Sequence, residues 1–206
     1  MINLYHDIDF KKYLCQSALI FCGFLILGMA IGYFIPHGVT AVAYNYVIHE
    51  SASAKIINIS DDSLFKVLLY FINNSIVALI FAVLIPLVYY RNLKDVNKLD
   101  IGNPVWISRF VLAIQAILPG IIIGYALPII NNNLLVAASL LPHGIIEIPA
   151  FIIAAAMGLW FINGKYLHII GYKGLVELYS IYVLPMVFIA AVIEAYITPW
   201  LMTIVR

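Results

Sequence analysis

The sequence predicts an all-α polytopic integral membrane helix bundle with about five transmembrane helices, in a single transmembrane domain over residues 1–206. Of the 206 residues, 65 % are hydrophobic and 10 % are charged, and the mean hydropathy is +1.04. Soluble domains are about half apolar and about a quarter charged. The chain also contains five long apolar runs, and a helix needs roughly 20 such residues to cross a bilayer. Helices suit these runs because a helix satisfies its own backbone hydrogen bonds in lipid.

The five spans are predicted at about residues 13–35, 64–90, 104–127, 142–162 and 175–205. In the first of them, Gly28-x-x-x-Gly32 has the spacing that lets another helix approach closely. Cys15 and Cys22 lie in the same run, about 10 Å apart on a helix, which is too far for a disulfide. The first span is therefore expected to pack through its glycines and to keep two free thiols.

Two polar segments separate the early spans. Residues 36–63 form the longest loop, predicted on the outer side, and residues 41–55 within it read as a helix lying at the membrane interface. Residues 91–103 form the most charged stretch, which is predicted to be a solvated loop on the inner side.

The second span carries two neighbouring amides, Asn73 and Asn74, about two turns from its start. Amide side chains in hydrocarbon form hydrogen bonds with other helices, so both are expected to face the bundle interior. Pro86 near the far end is expected to bend or end the helix, because proline lacks an N–H and clashes with the preceding turn.

The third span is expected to be irregular in its second half. Pro119-Gly120, Gly124 and Pro128 all fall there, and proline and glycine both weaken a helix interior. Broken helices at membrane depth are tolerated where protein or a water-filled cavity covers them.

The fourth span is expected to begin at Pro142. Residues 134–141 are apolar but too few to cross a bilayer, so they read as a re-entrant half-helix or an interfacial segment. Proline suits the first position of a helix, where its missing N–H is no loss.

The start of this span holds both ionisable and helix-breaking residues. His143 and Glu147 are four positions apart and share one face of a helix. Pro142, Gly144 and Pro149 form a helix-breaking motif around them. An ionisable side chain inside a bilayer costs a few kcal/mol or more, so it is expected to have a partner or a function. Two interpretations stay open: a kinked helix whose polar groups bond to neighbouring helices, or a functional site.

The fifth span is long for one helix and is interrupted by Pro185 and Pro199. Glu194 lies deep within it and is the second carboxyl group expected away from bulk water. The predicted polar cluster, which either contacts a ligand or holds the bundle together, comprises His143, Glu147, Glu194, Asn73 and Asn74.

The basic residues predict the orientation. With five spans, eight of the eleven Lys and Arg residues fall on one side and three on the other. The positive-inside rule then places the N-terminus inside and the C-terminus outside. The expected location is the cell membrane, as a multi-pass protein with lipid and other membrane proteins as partners, and a homo-oligomer stays open. A net charge of +1 gives no reason to expect nucleic acid.

Residues 142–158 read PHGIIEIPAFIIAAAMG. This run resembles the signature of the stage II sporulation protein M family, multispanning membrane proteins of bacteria and archaea. The likeness is carried by the alanine-rich helix and by Pro142, His143, Gly144, Glu147 and Pro149. It covers most of the chain, roughly residues 15–205. The family often has an Asn-Gly step before its third helix, and this chain departs from that pattern at residues 101–104.

The resemblance implies a non-enzymatic scaffold or assembly partner. In spore formers the family's namesake recruits peptidoglycan-degrading partners to a septal membrane during engulfment. Many relatives occur in organisms that form no spores, so a shared role must be broader. In this interpretation the outer loop and the lipid-facing spans bind other proteins, the polar cluster holds the bundle together, and no cofactor is expected.

Two other functions fit the residues. A transporter or channel-like protein for a small ion or polar solute would use the buried Glu/His cluster and the broken helices. An intramembrane metalloenzyme would use His143 and Glu147 as metal ligands, with Glu194 and His37 as further ones. His-x-x-x-Glu lacks the His-Glu-x-x-His arrangement of metalloproteases, and no serine or cysteine with a neighbouring base is evident, so an enzyme is the less favoured interpretation.

Overall fold

The computed structural model describes residues 8–35, 63–88, 104–129, 133–163 and 167–205. The helices are α1 (Ile8–Phe34), α2 (Ser63–Leu79), a π-helical turn π1 (Ile80–Leu84), α3 (Pro104–Ile129), α4 (Asn133–Asn163), α5 (Leu167–Tyr182), α6 (Leu184–Val192), a π-helical turn π2 (Ile193–Ile197) and α7 (Thr198–Val205). The predicted interfacial helix, the predicted inner loop, His37 and nearly all of the predicted outer loop lie outside the described residues.

The predicted fold class is confirmed. Five helical stretches are long and apolar enough to cross a membrane, and no strand occurs among the described residues. These stretches are Asp9–Phe34, Ser63–Val88, Val105–Pro128, Asn133–Ile162 and Gly171–Val205. The inside–outside orientation stays a prediction.

The fourth helix, α4, is the centre of the bundle. In its most apolar stretch 67 % of the residues are buried, against 17–33 % in the other four spans. Its C-terminal half is rich in alanine, and Ala150, Ala154, Ala155 and Ala156 are at most 1 % exposed. Small side chains let neighbouring helices approach closely, so the alanines suit the position that the other spans surround.

The predicted start of the fourth span at Pro142 is wrong. The helix α4 begins at Asn133 and is continuous through Pro142 and Pro149. Residues 134–141 are therefore its first two turns, and the structure has neither a re-entrant half-helix nor a separate interfacial segment there. Val136 in these turns is 5 % exposed and packs inside the bundle. Neighbouring helices can compensate for backbone bonds that a proline removes in a membrane helix.

Glycines join α1 to α3. A Cβ atom added to Gly28 would collide with the carbonyl oxygen of Ile117, and one added to Gly124 would collide with that of Met29. Gly32 and Gly120 face the opposite helix in the same way. The close approach predicted for the first span is thus made to α3 of the same chain, so any homo-oligomer must use another surface.

The third span is regular where the sequence predicted irregularity. It is one α-helix from Pro104 to Ile129, with Pro119 inside it. Gly120 and Gly124 are spaced as a second glycine pair, four residues apart, and lie against the first pair. Their role is packing, which a regular helix is needed to provide.

The helices α1 and α3 run parallel. Near their N-terminal ends, Arg109 Nη2 donates a hydrogen bond to Gln16 Oε1 (3.2 Å). Towards their C-terminal ends, Gly32 lies against the backbone of Tyr125. Parallel packing is expected for the first and third spans of a chain that crosses the membrane at each step.

Both π-helical turns precede a proline. The turn π1 comes just before Pro86, and π2 just before Pro199. A proline cannot donate to the carbonyl four residues back and its ring clashes with that carbonyl. The interruptions predicted at Pro86 and Pro199 are therefore π turns, which widen the helix locally. Such turns are frequent at functional sites.

The fifth span packs antiparallel to α2. Tyr179 Oη donates to the carbonyl oxygen of Ser75 (2.8 Å), and the rings of Phe71 and Phe188 meet edge to face with centroids 5.6 Å apart. From Phe71 to Ser75 along α2, the partner in the fifth span moves back from Phe188 to Tyr179, which shows the antiparallel direction and fixes the register.

Replacing Tyr179 by phenylalanine should lower the free energy of unfolding by about 1 kcal/mol, the typical net value of one hydrogen bond. The ring keeps its packing at this buried position, and only the donor to Ser75 is lost. Thermal unfolding in detergent measures the change. Tyr172→Phe is the control, since Tyr172 is exposed. An equal loss in both variants would contradict a structural role for this hydrogen bond.

Candidate functional site

A pocket of about 360 Å³ lies between the helices, with residues from all five spans in its wall. Its polar lining consists of Tyr70, Asn73, Asn74, Gln115, His143, Glu147 and Glu194. The remaining lining is apolar and includes Phe21 and Leu25 of α1 and Phe151 of α4. All five residues of the predicted polar cluster therefore line one cavity. The sequence placed them together only through their expected depth in the membrane.

Three ionisable side chains meet in this pocket. One ligand-type atom each from His143, Glu147 and Glu194 lies within 4.8 Å of the other two. The two carboxyl groups come from different spans, α4 and π2. Groups of these types at this separation can share a proton, form hydrogen bonds or hold a cation.

The local helix geometry places each of the three. His143 and Glu147 lie one turn apart on the same face of α4. Glu194 is the second residue of π2, where the widened turn displaces side chains from the positions of a regular helix. The π turn that precedes Pro199 thus also sets the position of the second acid.

Thr198 orients the imidazole. Its Oγ1 lies 3.3 Å from His143 Nδ1, and the threonine is only 6 % exposed. The sequence did not predict this contact, because a threonine in a helix can also bond its own backbone. The contact exists because α4 and the fifth span run antiparallel. His143 lies opposite Thr198, and Glu147 lies opposite Glu194.

The two predicted amides occupy different environments. Asn74 is buried at 7 % exposure, as expected. Asn73 is exposed and lies at the edge of the pocket, where its Nδ2 donates to Asn74 Oδ1 (3.1 Å). The expectation that both face the interior therefore holds for Asn74 alone. Neighbouring residues on a helix point about 100° apart, so one face cannot bury both.

Gln115 and Tyr70 line the pocket and were not predicted. Gln115 carried the same signal as the asparagine pair, an amide inside an apolar run. Tyr70 gave no such signal, because tyrosine is common near membrane interfaces. It is 5 % exposed in the structure.

The cluster lies near the middle of α4. Glu147 has fourteen helical residues before it and sixteen after it. A span that began at Pro142 would place Glu147 only five residues from its start, and that predicted start is wrong. With α4 beginning nine residues earlier, the pocket lies well within the length of the bundle.

The pocket lining is acidic. Among its described lining residues there are two carboxyl groups and no lysine or arginine. Two ionised carboxylates a few ångströms apart in a low-dielectric site repel strongly unless a proton or a cation lies between them. The arrangement is therefore suited to positively charged ligands. No serine or cysteine is among the described lining residues.

Comparison with known proteins identifies a family. A family model described as Stage II sporulation protein M matches residues 18–199. This range includes the whole pocket and confirms the resemblance found at residues 142–158. No curated protein and no solved structure matches the chain.

Proposed function

This chain belongs to the stage II sporulation protein M family, and we propose that it binds a small cation in the pocket between its helices and acts as a transporter or channel-like protein for it. The observation that carries the proposal is the meeting of His143, Glu147 and Glu194 inside the bundle. Ionisable side chains within membrane spans mark ion and substrate pathways in many proteins, because their cost must be offset by a function or a partner.

The backbone around the cluster supports the same function. Pro149 leaves the carbonyl of Ile145 without its usual donor, and Pro199 does so for Ala195. In transporters, backbone carbonyl oxygens left without a donor near the middle of the membrane coordinate cations, and a proline inside a continuous helix such as α4 also frees a carbonyl. Here the π turn carrying Glu194 ends two residues before such a proline.

The amides add neutral oxygen atoms to the wall. Asn73, Asn74 and Gln115 each present a carbonyl oxygen that can accept from water or approach a cation. Exposed Asn73 and half-buried Glu147 line the same pocket, so amide and acid oxygens are both available to one ion.

Cation flux into proteoliposomes tests the proposal. Fluorescent indicators trapped inside would follow protons, Na⁺ and Zn²⁺ in turn. We expect one of these cations to enter faster than in protein-free liposomes, and Glu147→Gln to reduce the excess at least about tenfold, since the amide cannot carry the charge that offsets the cation.

The matched control is Glu177→Gln, which removes an exposed acid at the start of the same bundle's fifth span. It should keep the wild-type rate. Flux that never exceeds that of empty liposomes, or that is equal in wild type and Glu147→Gln, would overturn the proposed transport function.

A membrane scaffold or assembly partner is the second candidate, and the family match over residues 18–199 favours it. In this case the pocket stabilises the bundle, and function depends on other proteins that bind its surface. Purification in mild detergent should then yield a partner in fixed ratio. Recovery of the chain alone, or only with copies of itself, would count against a scaffold.

A further inference from the structure

We infer that His143, Glu147 and Glu194 bind one divalent first-row transition-metal ion, of the Zn²⁺ or Mn²⁺ class. The inference rests on the proposed function in one respect, since it names the cation that the pocket takes. Binding can nevertheless be measured without transport, so the two can fail separately.

The ligand atoms are near the separation that a metal requires. They lie within 4.8 Å of one another. Bonds of 2.0–2.1 Å in tetrahedral geometry place ligand atoms about 3.3 Å apart. Each side chain would have to move by about 1 Å or less to reach that spacing. Rotation about side-chain bonds provides such a movement without a change in the helices.

The imidazole is oriented as in a metal site. Metal-bound histidines usually donate their second ring N–H to a neighbouring acceptor, which fixes the ring and the tautomer. Thr198 Oγ1 lies 3.3 Å from His143 Nδ1 and can accept that hydrogen. The lone pair then lies on Nε2, the nitrogen left for a metal. This contact is independent of the two acids.

The ligand types select the class of metal. Two carboxylates supply two negative charges, which match a divalent ion, and the described lining adds no basic residue that would oppose it. Mg²⁺ and Ca²⁺ prefer oxygen ligands throughout, whereas imidazole favours Zn²⁺ and its first-row neighbours. The histidine therefore argues for a transition metal over an alkali or alkaline-earth ion.

Equilibrium dialysis of the whole chain in detergent tests the inference. The protein is first treated with EDTA and then titrated with Zn²⁺ or Mn²⁺, and bound metal is measured by mass spectrometry. We expect one Zn²⁺ per chain, bound more tightly than Mn²⁺. An excess of Mg²⁺ of about a hundredfold should not displace it.

The variants His143→Gln and Glu194→Gln should each weaken Zn²⁺ binding at least tenfold, whereas Glu177→Gln should leave it unchanged. Thr198→Val should weaken binding less than loss of a ligand does, because it acts only through the imidazole. Co²⁺ gives a further readout, since its visible absorption reports the ligand set, and the spectrum should change in His143→Gln. If one variant fails to fold, the other provides the same test.

Zn²⁺ binding that is absent in wild type, or equal in wild type and both ligand variants, overturns the inference. Proton or Na⁺ flux that persists without Zn²⁺ binding overturns it and leaves the proposed function intact. Zn²⁺ bound by the wild-type cluster without flux of any tested cation supports the inference and overturns transport instead.

Discussion

Replacing Gly124 by alanine should sharply lower the yield of folded protein and cost at least about 2 kcal/mol in unfolding free energy, a typical value for overpacking a tight contact. The added Cβ would collide with the carbonyl oxygen of Met29 and would lie 2.6 Å from its carbonyl carbon and 2.7 Å from its Cα. These are backbone atoms of α1 and cannot move aside as a side chain does. The two helices would have to separate.

The control for this prediction is Gly23→Ala on α1, where an added Cβ meets nothing within 4 Å. Alanine is the better helix former, by about 1 kcal/mol in a helix interior, so this variant should fold at least as well as wild type. Thermal unfolding in detergent and the fraction eluting as a single species compare the two. Similar behaviour of both variants would show that the contact between α1 and α3 is not as close as the structure has it.

The pair Glu147→Gln and Glu194→Gln should be strongly non-additive in cation flux. Each single change should remove at least about nine-tenths of the flux, and the double variant should remove little more. When two residues act as one unit, the first substitution already removes most of their joint effect. For independent sites, the free-energy changes of the two substitutions add and their rate factors multiply. Because the two carboxyl groups lie beside the same imidazole, one cation would contact both.

Initial rates in proteoliposomes for the wild type, both singles and the double variant give this comparison. Glu177→Gln combined with Glu147→Gln serves as the matched pair and should leave the Glu147→Gln rate unchanged, since Glu177 is exposed and outside the pocket. A double variant whose loss equals the product of the two single losses would mean that the acids act at separate sites.

The polar cluster shows what local sequence patterns can predict about the site. Two acids, an imidazole and two amides stand out in apolar runs, because each costs free energy in a membrane unless it has a partner. That argument found His143, Glu147, Glu194, Asn73 and Asn74 but not which of them touch. His143 and Thr198 are 55 residues apart in sequence, and their contact depends on the antiparallel register of the two helices that carry them.

The prolines and glycines show where local patterns mislead. Pro142 and Pro119 suggested a helix start and a broken helix, yet both lie inside continuous helices. A proline inside a helix costs free energy because it removes a backbone hydrogen bond, but neighbouring helices can offset that cost in a membrane. Gly120 and Gly124 weaken a helix in isolation, but Gly120 lies against Gly28 and Gly124 against Met29, which gives both a packing role.

By itself, the sequence determined that this protein is an all-α membrane protein with five spans, because hydropathy and helix length are local and additive properties. It also determined the family to which the chain belongs and the residues whose placement in lipid costs free energy. The tertiary structure alone decided that α1 pairs with α3, that α4 lies at the centre, and that Glu147 and Glu194 share one pocket with His143. Those contacts depend on which small residues let two backbones approach and on the register this creates, and both are properties of pairs of helices.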